Sequence, residues 1–365
     1  MEIEAAVFRK ILEPLSIERV EIDKPSDREV LVRTVATGVC HSDLHVIDGL
    51  GRFQLDRPIV LGHEGAGIVE AVGSGVKGLK PGDHVVACLS GFCGNCEECL
   101  SGHPNLCTGA IVARSDEALP RLSQKGAPFR QFLGISSYAE KMLLHENSVV
   151  AIDPEIPLDR AALVGCGVLT GVGAALRSSG LQPGQTVAVF GCGGVGLSIV
   201  QGARIGGARR IIGVDKFASK REMALRLGAS DFVDSSEEDP VKAVRALTGG
   251  RGVDHAFEAI GDAKACRQAI ESLAIRGTAT IVGVLPPEEK IEFPWMAIRP
   301  ECKVQTSRMG SNRFRTDIPL YLDFYRQGRL KLDEMVTKRG RLSDINEAFR
   351  AMKAGEVART VLSFD

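Results

Sequence analysis

Thr186-Val187-Ala188-Val189-Phe190 runs directly into Gly191-Cys192-Gly193-Gly194-Val195-Gly196. The first five residues are apolar or β-branched and read as a buried strand, and the apolar stretch 195–205 reads as a helix. Between them lies G-x-G-x-x-G. Alone the pattern is weak. Between a strand and a helix it is a turn that lets backbone approach a pyrophosphate at a helix N-terminus. The next strand, 210–214, ends at Asp215, about twenty residues on, where a ribose acceptor belongs. A carboxylate there accepts hydrogen bonds from the 2′- and 3′-hydroxyls and repels a 2′-phosphate. NAD is therefore expected rather than NADP. A ligand-free strand–helix turn with a merely capping Asp is the alternative, and the register of all the parts speaks against it.

Outward from this stretch, strands and helices alternate. A helix is expected at 219–227 and a short strand at 231–233. Asp239 caps a helix with Pro240 at its first position, running to Leu247. A strand at Val253–Glu258, a helix at 263–275 and a strand at 278–284 follow. Such alternation predicts an α/β, doubly wound parallel sheet. The chain before it reads as β-rich, with strands at 30–35, 67–72 and 85–88 between Gly, Pro and Asp breaks. The polar, aperiodic stretch 115–132 reads as a surface loop. After about Gly310 the texture changes back, to helices at 318–326 and 343–353 and a last strand at 360–364. A nucleotide-binding domain, 168–310, thus looks inserted into another made of 1–167 plus 311–365.

Cys93, Cys96, Cys99 and Cys107 form C-x2-C-x2-C-x7-C. Thiolates so spaced let one loop wrap one ion, and Zn²⁺ takes four in a closed structural site. Bacterial iron–sulfur runs keep the third gap short and place Pro after the last Cys. Here Thr108 follows a longer gap, which favours zinc. A disulfide staple or chance thiol pairs would be the bland reading, but close Cys runs inside cells usually bind metal. Ten cysteines without a secretory signal imply a reducing compartment, and cytoplasm follows by default. A chain of 365 residues with 44% apolar content accommodates two domains with cores of their own. A net charge of −1 and no basic stripe argue against nucleic acid or an anionic membrane as partner. Neither a signal peptide nor a run of membrane-spanning length appears.

Cys40, His63 and Cys166 lie far apart in sequence. Two thiolates and an imidazole around an open fourth position would make a catalytic zinc. Spacing alone does not select these three, since a lone Cys or His is more often a buried core residue.

The sequence resembles the zinc-dependent medium-chain alcohol dehydrogenases, essentially end to end and most closely the long, dimeric members. The stretches that carry the likeness are Gly62-His63-Glu64-Gly65-Ala66-Gly67, Thr37-Gly38-Val39-Cys40-His41-Ser42-Asp43, the four-cysteine lobe at about 90–110, and Gly165-Cys166-Gly167-Val168-Leu169-Thr170. The resemblance implies a GroES-like, β-rich catalytic domain with an inserted Rossmann domain. It implies two zincs per chain: a catalytic one on Cys40, His63 and Cys166 with Glu64 close behind, and a structural one on Cys93, Cys96, Cys99 and Cys107. Asp43 would orient His63. Ser42 would pass the alcohol proton on, with His45 at the outer end of the relay. Thr170 and Val195 would flank the nicotinamide, Lys220 would contact the adenosine side and Arg359 the pyrophosphate.

There are departures. The pyrophosphate-contacting position after the first ligand is often Arg, and here it is His41. Leu89 stands where some relatives carry a bulky aromatic, which implies a roomier pocket. The loop 115–132 resembles an extension of dimeric members, so a homodimer is expected. Cys88, Cys192, Cys266 and Cys302 have no assigned role and read as structural. The expected activity is reversible hydride transfer between a primary or secondary alcohol and NAD, giving aldehyde or ketone. A glutathione-dependent formaldehyde dehydrogenase is one alternative. A zinc-stabilised NAD-binding regulator without turnover is another, and a pure binder needs no open metal site.

Overall fold

The computed structural model describes residues 1–50, 55–109, 112–114 and 118–364. Two compact units share the chain. One comprises Met1–Cys166, Arg313–Phe324 and Leu332–Asp365, the other Gly167–Asn312 and Tyr325–Lys331.

The first unit holds a six-stranded and a seven-stranded sheet among its described residues. The strand Glu29–Gly38, rich in Val and buried along most of its length, is the hub of the larger sheet. It pairs antiparallel with Glu64–Val72, Lys141–His145 and Arg359–Ser363. Its register sets Gly38 opposite Glu64 on one side and Val361 on the other. That pairing gathers three chain segments at one end of the sheet: Cys40 just beyond the hub strand, His63 just before its neighbour, and Arg359 at the start of the third. Cys166 follows the buried helix Leu158–Val164, which packs on the same two central strands.

The stretch 115–132 is not the plain surface loop its polarity suggests. Residues 115–117 lie outside the described residues. Beyond them, Leu122–Gln124 adds to the strand Ser16–Ile22, Ala127–Pro128 pairs back on it, and Arg130–Gln131 runs parallel to Ile59–Val60. Leu122 and Phe129 enter a core with Ile3, Val20 and Ile22. Arg121 and the neighbouring Arg114 spend their charges inside. Arg114 donates to both Glu29 oxygens and to Asp23, and Arg121 donates to Glu29 Oε1 at 2.7 Å. Burial works to raise the Glu29 carboxyl, but the two arginines hold it down to about 2.

The second unit is a six-stranded parallel sheet in the order Asp231–Asp234, Arg210–Asp215, Thr186–Phe190, Val253–Glu258, Leu273–Ile281, Lys303–Thr306. Numbered within the unit this is 3-2-1-4-5-6, the Rossmann order, with its switch point between Thr186–Phe190 and Val253–Glu258. Thr186–Phe190 is buried along its whole length, as a parallel strand covered on both faces must be. Asp239 accepts from the N–H groups of Val241 and Lys242, so the capped helix is Pro240–Leu247 as expected. The helix expected at 263–275 stops at Glu271, because parallel pairing of Leu273 with Val253 takes the following residues into a strand. The edge strand Lys303–Thr306 and the strand Val336–Arg341 were not foreseen; both are short and half polar. No single helix among the described residues is long and apolar enough to cross a membrane.

Candidate active site

The ligand atoms of Cys40, His63, Glu64 and Cys166 all lie within 4.8 Å of one another, and all four residues are buried. No spacing rule links them; the sheet register does. Both ring nitrogens of His63 are sealed from water without a hydrogen bond among the described residues. Nδ1 lies 3.2 Å from Asp43 Oδ2. Asp43 is fully buried and fixed from two other directions, by the Gly62 N–H at 2.8 Å and the Tyr138 hydroxyl at 3.0 Å. The Cys166 contact and the His63 charge pull the Cys40 thiol well below its usual range, against burial. Burial lowers His63, but the Asp43 and Cys40 charges win and hold it well above its ordinary value. Two soft sulfurs, a buried imidazole with Asp43 against its Nδ1 and Nε2 unpaired, and charges that attract a proton in place of a cation fit a zinc ion.

Glu64 is pushed up to about 7 by burial, even though Arg359 pairs with it. The pair needs Gly38: a Cβ there would lie 2.1 Å from Glu64 Oε2. Arg359, expected at a pyrophosphate, is itself buried with its guanidinium on Glu64, and its Nε has no hydrogen-bond partner among the described residues. Cys40 precedes the short helix His41–Ile47. Ser42 Oγ is 3.8 Å from Cys40 Sγ. His45 stands three residues on, along the same helix face, half-buried, with its ring 6.5 Å from that of the exposed His41.

The four remaining clustered cysteines also fall within 4.8 Å of one another. Cys93 and Cys99 sulfurs are 3.9 Å apart, and Cys96 and Cys107 sulfurs 3.8 Å. A zinc tetrahedron with bonds of about 2.3 Å has edges of roughly 3.8 Å, and no disulfide is present, since every cysteine is free. Backbone N–H groups point at the sulfurs: those of Cys96 and Asn95 at Cys93, those of Cys93 and Gly109 at Cys107. Such donors favour thiolate, the ligating form; the Cys99 and Thr108 N–H groups bring Cys96 down to about 5, while burial and the neighbouring thiols push Cys99 up to about 12. Cys88 and Cys266 are buried, and burial lifts both thiols to about 12. Cys192 is buried and raised as well, while the half-buried Cys302 thiol meets the Ala274 carbonyl.

In the second unit, the helix Gly194–Ile205 starts at Gly193 with no side-chain cap, so its first N–H groups are open to an anion. A Cβ on Gly196 would sit 1.7 Å from the Gly191 carbonyl, so packing alone explains that glycine. A Cβ on Gly193 would meet nothing within 4 Å. Packing does not explain it, and it leaves a cradle open for a ligand. Asp215 closes the loop: Oδ2 accepts from the Cys192 N–H at 2.7 Å and Oδ1 from the Phe217 N–H at 3.0 Å. The half-buried Lys220 faces it. Val195 is half-buried at the helix start. Thr170 is buried and donates its hydroxyl to the Met309 sulfur at 3.3 Å.

Tyr138 was missed because it lies 95 residues from Asp43 in sequence and in no metal-like spacing. The exposed Phe217 and Ile260, at the ends of two sheet strands beside the glycine loop, were missed too. Exposed apolar residues at the carboxyl edge of a parallel sheet are the signal that could have found them.

A Rossmann sheet with an open phosphate cradle, a closed four-thiolate set and a second, mixed donor set define a zinc- and dinucleotide-dependent dehydrogenase. Comparison with known proteins is specific. The model "Alcohol dehydrogenase GroES-like domain" matches residues 26–154, and "Zinc-binding dehydrogenase" matches 194–324. The S-(hydroxymethyl)glutathione dehydrogenase of Saccharomyces cerevisiae is 39% identical, over 99% of this chain and 96% of its own. Alcohol dehydrogenase 1 of Pisum sativum is 37% identical, over 99% and 97%. Among solved structures, benzyl alcohol dehydrogenase from Acinetobacter calcoaceticus superposes with a TM-score of 0.92 at 31% identity, covering 100% of both chains. The chain belongs to the zinc-dependent medium-chain alcohol dehydrogenase family.

Proposed function

We propose that this chain interconverts a primary or secondary alcohol with its aldehyde or ketone, using NAD. The observation that supports this most is the buried set Cys40, His63, Glu64 and Cys166 within 4.8 Å, with the Ser42 hydroxyl beside Cys40. When bound, zinc would supply a Lewis acid for the alcohol oxygen, and NAD a hydride acceptor at C4 of its nicotinamide. Cys40, His63 and Cys166 are the ligands in this reading, and Glu64 stands behind them, neutralised by Arg359. Asp43 holds His63 in one ring orientation and tautomer. Ser42 Oγ would accept the alcohol proton as it gives up its own hydroxyl proton to the relay, and His45 at the relay's outer end would hand a proton to solvent. Thr170 and Val195 border the nicotinamide. Gly191, Gly193 and Gly194 with the open helix start receive the pyrophosphate, Gly196 lets the helix pack close, and the resemblance makes His41 and Arg359 the cationic candidates for it. Lys220 and Asp215 serve the adenosine end. Cys93, Cys96, Cys99 and Cys107 hold a second zinc with no open position.

Asp215→Gly is expected to lower the preference for NAD over NADP by on the order of 10², by removing a like charge from the 2′-phosphate. Binding of NAD itself should weaken as well, because the Cys192 N–H loses its partner. Equal use of both cofactors by the wild-type chain would overturn the ribose role.

Relatives named S-(hydroxymethyl)glutathione dehydrogenase, at 39% and 38% identity, favour a second reading for the substrate. A panel of aliphatic, allylic and aromatic alcohols, followed by NADH absorbance and repeated with formaldehyde plus or minus glutathione, separates the two. Turnover of simple alcohols alone supports the first reading. Formaldehyde oxidation only with glutathione supports the second. No turnover by zinc-replete protein would leave the regulator.

A homodimer is part of the proposal. Lys303–Thr306 ends its sheet, and Val304, Trp295 and Met296 near it are exposed at 48%, 81% and 83%. An edge strand with uncovered apolar neighbours invites pairing with a second copy, and a one-chain mass in sedimentation is the result against it. Ten free thiols support a reducing, cytoplasmic location.

A further inference from the structure

We infer that Tyr138 is a positioning residue for the metal centre: its phenol holds Asp43, and through Asp43 it fixes the ring of His63. The inference rests on the metal assignment proposed above. Tyr138 is wholly buried, and its hydroxyl is 3.0 Å from Asp43 Oδ2. That is the same oxygen that lies 3.2 Å from His63 Nδ1. The other Asp43 oxygen is taken by the Gly62 N–H. A carboxylate has rotational freedom about its last bond. Two donors on different oxygens remove it, and the oxygen facing His63 is then fixed in place.

The backbone sets the phenol's reach. Tyr138 N–H donates to the Leu61 carbonyl at 3.1 Å and Ser137 N–H to the Gly62 carbonyl at 3.0 Å. The Ala6 N–H donates to the Tyr138 carbonyl at 2.8 Å, and Thr37 and Ser137 share a hydroxyl bond at 2.7 Å. Tyr138 is therefore laced to the segment that carries His63, and Phe349 braces its ring edge-on at 6.2 Å. A Phe in this place would fill the core equally well. Only the hydroxyl distinguishes Tyr, and among the described residues its hydrogen bond goes to Asp43. Partners that orient a metal-ligating His typically account for 10–100-fold in metal affinity.

The test is Tyr138→Phe in the zinc-loaded full chain, with Phe349→Leu as packing control. Zinc release to a chromogenic chelator should be biphasic. The catalytic zinc of Tyr138→Phe is expected to leave about 10–100-fold faster, with the structural zinc unchanged as an internal marker of folding. In protein with cobalt at the catalytic position, the visible d–d bands should shift or broaden in Tyr138→Phe as the imidazole loses its fixed orientation. Phe349→Leu should lower Tm and leave both readouts alone. Wild-type release and spectrum in Tyr138→Phe would overturn the inference, as would equal changes in Phe349→Leu, which would make the effect one of packing. If neither protein held zinc at this site at all, the metal assignment would fail instead.

Discussion

Cys166→Ser is expected to lose one of two zincs and to fall in kcat/KM by on the order of 10³ or more, while the chain stays folded. The loss follows from the donor set. Cys166 is buried at 6% exposure, and its sulfur lies among the ligand atoms of Cys40, His63 and Glu64. A serine hydroxyl is a hard donor that stays protonated near neutral pH, whereas thiolate is the form that binds zinc. Lewis-acid help is worth several kcal/mol of barrier, and about 4 kcal/mol is a factor near 10³. Folding should survive because the helix Leu158–Val164 is held by its own apolar contacts, with Ala161 to Val164 fully buried. Metal analysis and far-UV circular dichroism report on the two halves of the claim. Retention of both zincs with wild-type turnover would remove Cys166 from the centre.

Much of this was legible in the sequence, and unevenly. The Rossmann half is local. A strand, a glycine turn, a helix and an acid at the end of the next strand follow one another within about thirty residues, so pattern suffices. The four-cysteine lobe is local as well, because one loop supplies every donor. The mixed donor set is not. Cys40, His63 and Cys166 meet because Gly38 pairs with Glu64 across the hub strand and a helix delivers Cys166 from a hundred residues on. Spacing is blind to register, so family resemblance rather than residue pattern raised these three.

The stretch 115–132 misled for a related reason. Arg121 looked solvated because its partner, Glu29, lies 92 residues earlier. Tyr138 left no sequence signal at all, since a Tyr inside a strand-forming run is what any core contains. Arg359 shows the opposite case. Resemblance pointed to a phosphate, and the structure adds a buried carboxylate, Glu64, that the residue neutralises.

Cys96→Ser should give the largest loss of stability, through the other zinc. The lobe has almost no core. Its helix Glu97–Leu100 has four residues, none buried, and its four cysteines are only partly covered. What remains is at its base: Asn147 donates to the Phe92 carbonyl, Arg313 to the Gly102 carbonyl, and Phe92 meets the Phe314 ring at 5.9 Å. Metal binding is folding free energy in such a lobe. With one sulfur gone, the tetrahedron opens and zinc affinity falls steeply. A loss of about 4 kcal/mol lowers Tm by roughly 10 °C in a domain of this size. The three remaining lobe thiols should become reactive to a thiol reagent, while Cys40 and Cys166 stay protected by burial. Activity at low temperature should persist in part, because the lobe contributes no donor to the mixed set. Two zincs per chain, an unchanged Tm and no newly reactive thiols in Cys96→Ser would mean that these cysteines hold no structural ion.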